Sequence, residues 1–94
     1  MGLLQRIRQK IIDRRYWISS HSEEEMYADD LERTDVEHAL FNGTIDKRYR
    51  LDPRGTRYRV AGPARDGRLV HVLCRFHEIG DLIIITVYAK ESAK

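Results

Sequence analysis

The second half of the sequence, from Thr44 onward, contains four short segments rich in β-branched and aromatic residues, separated by turn residues. The separators are Asp52-Pro53-Arg54-Gly55, Asp66-Gly67 and Gly80-Asp81. Proline suits the second position of a tight turn, and glycine accepts the positive φ that hairpin turns require. Because parallel strands need a long crossover, loops this short predict antiparallel pairing. We therefore expect a four-stranded antiparallel meander over residues 44–51, 56–62, 68–78 and 82–89.

The first half of the sequence begins with an amphipathic segment over residues 3–13. Its apolar side chains recur at helical spacing, with arginine and lysine between them. Such a stripe packs on the core of its own domain or on a second copy of the chain, and we prefer both to membrane binding. The apolar side chains are Leu3, Leu4, Ile7, Ile11 and Ile12.

Two shorter helices are predicted before the strands, each opened by a capping box of serine or threonine with glutamate three residues on. Gly43 is expected to end the second of them in the left-handed conformation, which glycine adopts without a steric cost. The boxes are Ser22 with Glu25 and Thr34 with Glu37, and the helices span about residues 23–32 and 35–42.

An order of helices first and one sheet afterwards is an α+β plan, and 94 residues suffice for one domain. We expect the N-terminal helices to pack on one face of the four-stranded meander. The single domain, residues 1–94, divides into an N-terminal amphipathic helix (1–15), two short helices (16–43) and an antiparallel sheet (44–89).

Alternation along each strand decides which side chains face the helices. In "LVHVLCRFHE", residues 69–78, the valines and the cysteine take the core face, which leaves His71, Arg75 and His77 on the other. The predicted core row of the last strand is Ile83, Ile85 and Val87. The opposite face of the sheet gathers Arg57, Arg59, His71, Arg75, His77 and Tyr88.

The net charge of +2 conceals a strong segregation of charge along the chain. Residues 16–46 carry nine acids against one arginine, whereas residues 47–77 carry nine basic residues against two acids. Such an asymmetry matters more than the total, because electrostatic fields are local. Either the acidic part neutralises the basic part within the fold, or the sheet presents a basic surface to a polyanion.

Composition excludes several classes of protein. No apolar run approaches the roughly 20 residues that span a membrane, and the N-terminus lacks the apolar segment and cleavage site of a signal peptide. The single cysteine, Cys74, leaves no internal disulfide and no cysteine zinc cluster. We expect a cytoplasmic protein without a membrane partner.

Five segments together form a recognisable pattern: "SSHSEEEMYADD", "TDVEHALFNGTI", "DPRGTRYRVAG", "DGRLVHVLCRF" and "IITVY". In this order the chain resembles a small bacterial family, domain of unknown function 4258, over about residues 17–89. One departure is that the helix element often reads E-R-M, whereas this chain has Glu24-Glu25-Met26. The N-terminal helix lies outside the pattern.

That family is distantly similar to the BrnT and RelE/ParE toxins, in which two N-terminal helices pack on an antiparallel sheet and many members cut RNA. The resemblance implies a RelE/BrnT-like fold, ribonuclease activity and a cognate antitoxin protein as partner. Because one fold hosts many functions, the site residues must be argued from their chemistry.

RNA cleavage of this type needs a base for the ribose 2′-OH, an acid for the leaving 5′-oxygen and cations for the phosphate. Imidazole suits proton transfer near neutral pH, and the planar fork of arginine suits phosphate. No metal or cofactor is required. The candidate catalytic residues are His21, Arg57, His71 and Tyr88, and the candidate RNA-binding residues are Arg59, Arg75 and His77.

Two functions from different classes therefore stand beside each other. The first is a toxin-like, metal-independent ribonuclease that cleaves RNA at the basic sheet face. The second is a non-catalytic module that binds a protein or RNA, in which His71 is a hydrogen-bonded core histidine. The expected partners are RNA, a cognate antitoxin, and a second copy of the chain through the N-terminal helix.

Overall fold

The computed structural model describes residues 1–90, in which three helices pack around one face and one edge of a five-stranded sheet. The strand order across the sheet is β1-β5-β4-β3-β2. Residues 91–94 of the predicted domain lie outside the described part of the chain. The elements are α1 (Leu3–Ile12), β1 (Tyr16–Ile18), α2 (Ser20–Ala28), α3 (Arg33–Asn42), β2 (Thr44–Tyr49), β3 (Arg57–Pro63), β4 (Leu69–Phe76) and β5 (Leu82–Ala89).

The α+β class is confirmed, and β2 to β5 pair antiparallel in chain order. The prediction of a purely antiparallel, four-stranded sheet is wrong, because β1 adds a fifth strand that runs parallel to β5. Three residues are too few to show an alternating pattern. The partner of β1 also lies near the other end of the chain, so only tertiary structure reveals this strand.

The core lies between the sheet and the helices. In α1, Ile7 and Ile11 are buried, and the Arg8 side chain donates to the carbonyl oxygens of Leu40 (2.9 Å) and Gly43 (3.0 Å) at the end of α3. The N-terminal helix thus packs on the core of its own domain. No helix within residues 1–90 is long and apolar enough to cross a membrane. The buried sheet residues of this core are Ile18, Val60, Val70, Val72, Cys74, Leu82, Ile84 and Val87.

Helix α3 and strand β3 approach each other closely at two glycines. A Cβ atom on Gly62 or Gly43 would overlap the carbonyl group of Ala39. Gly43 has φ −104° and ψ −174°, which is extended backbone, so the predicted left-handed cap is wrong. Glycine is required at this position because the helix and the strand meet there, and not because φ is positive.

Both short helices begin earlier than predicted. The Ser19 hydroxyl caps α2 by accepting a hydrogen bond from the Ser22 amide (3.1 Å), so Ser22 lies inside the helix. At α3 the capping box joins Glu32 and Asp35. In the observed caps, as in the predicted ones, the two partners are three residues apart in the sequence. Contacts with other elements distinguish the observed cap of α3 from the predicted one, because Asp35 also accepts a hydrogen bond from the Arg65 side chain (3.1 Å).

Strand β5 contains a bulge, because one extra residue, Ile85, lies between two consecutive pairs with β4. The bulge changes which side chains face the helices. Before it, Leu82 and Ile84 belong to the core, so the predicted row of Ile83 and Ile85 is wrong. After it the alternation resumes in the predicted phase, and Val87 is buried.

The edge of β5 beyond β1 is closed by side chains of α2 and its cap. They satisfy backbone groups that a neighbouring strand would otherwise pair, so α2 takes the place of a strand at this edge. The hydrogen bonds run from Ser22 Oγ to Ile84 O (3.1 Å), Ser19 Oγ to Ile85 O (3.1 Å), Val87 N to Glu25 Oε1 (3.2 Å) and Ala89 N to Asp29 Oδ2 (2.9 Å).

We predict that Ser22→Ala lowers the free energy of unfolding by about 0.5–1.5 kcal/mol, because it removes the hydroxyl hydrogen bond to the Ile84 carbonyl, which keeps the Ser19 amide as a second donor (3.0 Å). Ser20→Ala is the matched control, since Ser20 is an exposed residue in the first turn of the same helix. Urea unfolding of the two variants measures the difference. Equal stabilities would show that the edge contact contributes nothing.

Candidate functional site

We call the sheet face opposite the helices the open face. The register of the strands determines its composition, because each row of paired residues points to one side. At the end of the open face toward β1 and the β2–β3 loop, the side chains are aromatic and basic. At the opposite end, where His71 pairs with Tyr88, they are polar and closely packed. The open face presents Trp17, Tyr49, Arg57, Arg59, His71, Leu73, Arg75, Ile83, Thr86 and Tyr88.

His71 and Tyr88 are directly opposite each other on β4 and β5. The His71 Nδ1 atom lies 2.9 Å from the Tyr88 hydroxyl oxygen, and their rings meet edge to face with centroids 5.1 Å apart. His71 faces this side because its neighbours Val70 and Val72 are fully buried on the helix side. The imidazole is itself nearly covered, with 7% of the residue exposed.

An ion pair between Arg59 and Asp46 lies beside this tyrosine. Arg59 donates from Nε (2.9 Å) and Nη2 (3.0 Å) to the two oxygens of Asp46, which is the extra residue in a second bulge, on β2. This hydrogen bonding lowers the pKa of Asp46 and raises that of Arg59. Tyr88 makes a smaller contribution to the raised pKa of Arg59, which indicates that the two side chains are near each other. We call Asp46, Arg59, His71 and Tyr88 the His71 cluster.

The imidazole of the cluster is held in its neutral form. Burial, followed by the positive charge of Arg59, lowers the pKa of His71 below its ordinary value of 6.5. Asp46 acts in the opposite direction with a smaller effect. A neutral imidazole has one ring nitrogen free to accept a hydrogen bond, and the Tyr88 hydroxyl lies within hydrogen-bond distance of Nδ1.

Arg57 and Arg75 lie at the other end of the open face. From Arg57 to Ala61, which pairs with His71, β3 runs four residues, or about 13 Å. The Arg57 Nε atom lies 2.8 Å from Asp52 Oδ2, and its guanidinium stacks over the Tyr49 ring at 5.0 Å. The structure therefore brings His71 together with Tyr88 and Arg59, and it separates Arg57 from them.

The remaining predicted residues lie elsewhere. His21 is an exposed residue of α2, 3.3 Å from Glu25, and within residues 1–90 no hydrogen bond joins it to the His71 cluster. His77 follows β4, where its ring lies 5.6 Å from the ring of Trp17. His21 therefore lies outside the cluster, and His77 is close to the basic end of the open face.

The sequence did not predict the role of Asp46, because a bulge brings this residue to the face of Arg59 and no pattern in β2 indicates a bulge.

Cys74 lies on the core side as expected, and burial raises the pKa of its thiol to about 12. Such a thiol is inert as a nucleophile at neutral pH. In the described part of the chain, no group of three histidine, cysteine or acidic side chains is placed to hold a metal ion.

We predict that an NMR titration gives His71 a midpoint below 6.5, and that Arg59→Gln raises it by removing a nearby positive charge. Since the folded-state pKa is the lower one, the unfolded chain binds more protons, and this part of the stability is present above 6.5 and is lost as pH falls from 6.5 through the lower folded-state pKa. A midpoint at or above 6.5 in the wild type would contradict the burial of the imidazole.

Comparison with known proteins gives one match. The family model described as Domain of unknown function (DUF4258) matches residues 18–89, from the last residue of β1 to the last residue of β5. No curated protein and no solved structure matches the chain. The matched region contains α2, α3, the four antiparallel strands and the whole His71 cluster. Since it covers well over half of the residues, the chain belongs to the DUF4258 family.

Proposed function

We propose that the protein is a toxin-like, metal-independent ribonuclease of the RelE/BrnT kind, which binds RNA on the open face and cleaves it at the His71 cluster. The observation that carries the proposal is the 2.9 Å contact between His71 Nδ1 and the Tyr88 hydroxyl, beside Arg59. A neutral imidazole, a phenol and a guanidinium are the groups that metal-independent RNA cleavage needs.

The chemistry is an internal transfer at phosphorus. The Tyr88 oxygen removes the proton of the ribose 2′-OH as its own proton passes to His71. The 2′-oxygen then bonds to phosphorus, and the bond from phosphorus to the 5′-oxygen breaks. The 5′-oxygen leaves as a hydroxyl after protonation by the histidine–tyrosine pair or by water, and a 2′,3′-cyclic phosphate remains. Arg59 stabilises the negative charge that develops on the phosphate.

The same proposal includes partners and location. An acidic or DNA-binding antitoxin would cover the basic open face, and both proteins would act in the cytoplasm. The family resemblance and the helices beside a largely antiparallel sheet support a RelE-like arrangement. A second copy of the chain has less support, since Ile7 and Ile11 are buried within their own domain and Ile12 is the exposed apolar residue of α1.

A second candidate function is a non-catalytic module that binds RNA or a protein. It is favoured by the burial of His71, which is only 7% exposed and resembles a hydrogen-bonded structural histidine. In this case Arg59 and Tyr88 would contact the partner without transferring protons. Replacement of His71 would then reduce the stability of the fold, and it would change no rate of RNA cleavage because the protein would have no such activity.

We predict that Tyr88→Phe slows RNA cleavage by a factor of ~10²–10⁴, because it removes the hydroxyl that transfers the proton. His71→Gln should have an effect of the same order. Tyr27→Phe is the matched control, since Tyr27 lies on α2 with 90% of the residue exposed and loses the same hydroxyl.

The measurement is cleavage of a labelled RNA by purified protein, together with growth arrest on induced expression. Circular dichroism and thermal melts establish that the variants fold. If the wild type cleaves RNA and Tyr88→Phe cleaves it equally fast, the assigned roles are wrong. If folded wild type cleaves no RNA and arrests no growth, the binding module replaces the ribonuclease.

A further inference from the structure

A cavity of about 230 Å³ lies at the end of the open face away from the His71 cluster. Arg57 and Arg75 flank the paired residues Tyr58 and Cys74 on adjacent strands, so both guanidinium groups reach the same side of the sheet. The β2–β3 loop contributes Arg54 and Asp52. We call this the arginine cavity, and its lining includes Asp52, Arg54, Arg57, Arg75, Ile83 and Ile85.

The arginine cavity carries more positive charge than its protein partners neutralise. Asp52 is the one acid in its lining, against three arginines. Arg57 Nε is close to Asp52 but is buried without a hydrogen bond, because the N–H direction misses the carboxylate. Within residues 1–90, the guanidinium groups of Arg54 and Arg75 form no ion pair. Three like charges around one concave space favour an anion between them.

We propose that the arginine cavity binds a phosphate group of single-stranded RNA. Guanidinium groups bind phosphate through paired, charge-assisted hydrogen bonds, and two strands present them here from a rigid sheet. The volume is below the roughly 300 Å³ of a typical small-molecule site, which suits a phosphate with part of its sugar. The apolar walls formed by Ile83 and Ile85 can contact that sugar.

The position of the cavity indicates what kind of molecule fills it. It lies about 13 Å along β3 from the residue that pairs with His71. One phosphate cannot reach both places, so the cavity and the His71 cluster hold different phosphates of the same strand. Trp17 pairs with Ile83 at the border of the cavity and offers a ring on which a base can stack. The identity of the ligand as RNA rests on the proposed function, whereas phosphate binding does not require cleavage.

The test uses a fluorescent single-stranded oligonucleotide with 2′-O-methyl groups, which cannot be cleaved through its 2′ position. Fluorescence anisotropy gives the Kd at several salt concentrations. Arg75→Gln should weaken binding about tenfold through loss of a charged hydrogen bond. It should also lower the slope of log K against log salt by about 0.7, the contribution of one phosphate contact in a single strand.

Two further variants sharpen the result. Asp52→Asn removes the negative charge of the cavity and keeps the shape of the side chain, so it should tighten binding. Arg14→Gln is the matched control and should change neither quantity, because Arg14 is an exposed arginine beside α3 residues Arg33 and Glu37. Thermal melts check that each variant is folded.

The proposal is overturned if Arg75→Gln leaves both the Kd and the salt slope of the wild type unchanged. It is also overturned if an acidic peptide of equal charge binds more tightly than the oligonucleotide, since the cavity would then be a protein-binding site. Because the oligonucleotide resists cleavage, the outcome is independent of catalysis. An inactive protein that binds it with the expected salt dependence retains the phosphate site and loses only the ribonuclease.

Discussion

The bulge in β5 and the serine side chains that satisfy it decide how the sheet is built. The Ile84 carbonyl accepts from the Ser19 amide and from the Ser22 hydroxyl, and the Ser19 hydroxyl donates to the Ile85 carbonyl, beyond the end of β1. The extra residue lets side chains on both sides of it, Ile84 and Val87, reach the core. Tyr88 then points away from the helices, opposite His71. The His71 cluster therefore depends on a hydrogen-bonded edge on the far side of its strand.

The acidic first half of the chain is used mainly inside the fold. Glu25 and Asp29 bind backbone amides of β5, and Asp35 pairs with Arg65. Of these contacts, the Asp35–Arg65 ion pair is an instance of the charge neutralisation within the fold that the sequence allowed, and it accounts for one residue of the basic half. These contacts do not reach the arginine cavity, where Asp52 is the one acid in the lining. Acids and bases thus pair within the fold at Asp35 and Arg65, whereas the lining of the arginine cavity keeps an excess of positive charge.

Much of the sheet could be predicted from local sequence. The turns at Gly67 and Gly80 have φ of 91° and 98°, and the strands around them follow the predicted segments closely. In β4, alternation correctly predicted that His71 lies on the opposite face of the sheet from Val70 and Val72. The candidate site was less predictable, because proximity across strands depends on register. Arg59, and not Arg57, lies beside Tyr88, and His21 belongs to a helix outside the cluster.

The sequence by itself determined the α+β class, the hairpin order and the residue types that line the open face, because turn chemistry and alternation are local properties. Tertiary structure alone decided the parallel strand β1, the two bulges and the true helix caps. The cap partners themselves are three residues apart, but all these features involve contacts with other elements, as when Ser19 bonds to Ile85, Asp35 to Arg65 or Asp46 to Arg59. Backbone groups must find partners when they are buried, and which partner is in reach is known only once the chain is folded.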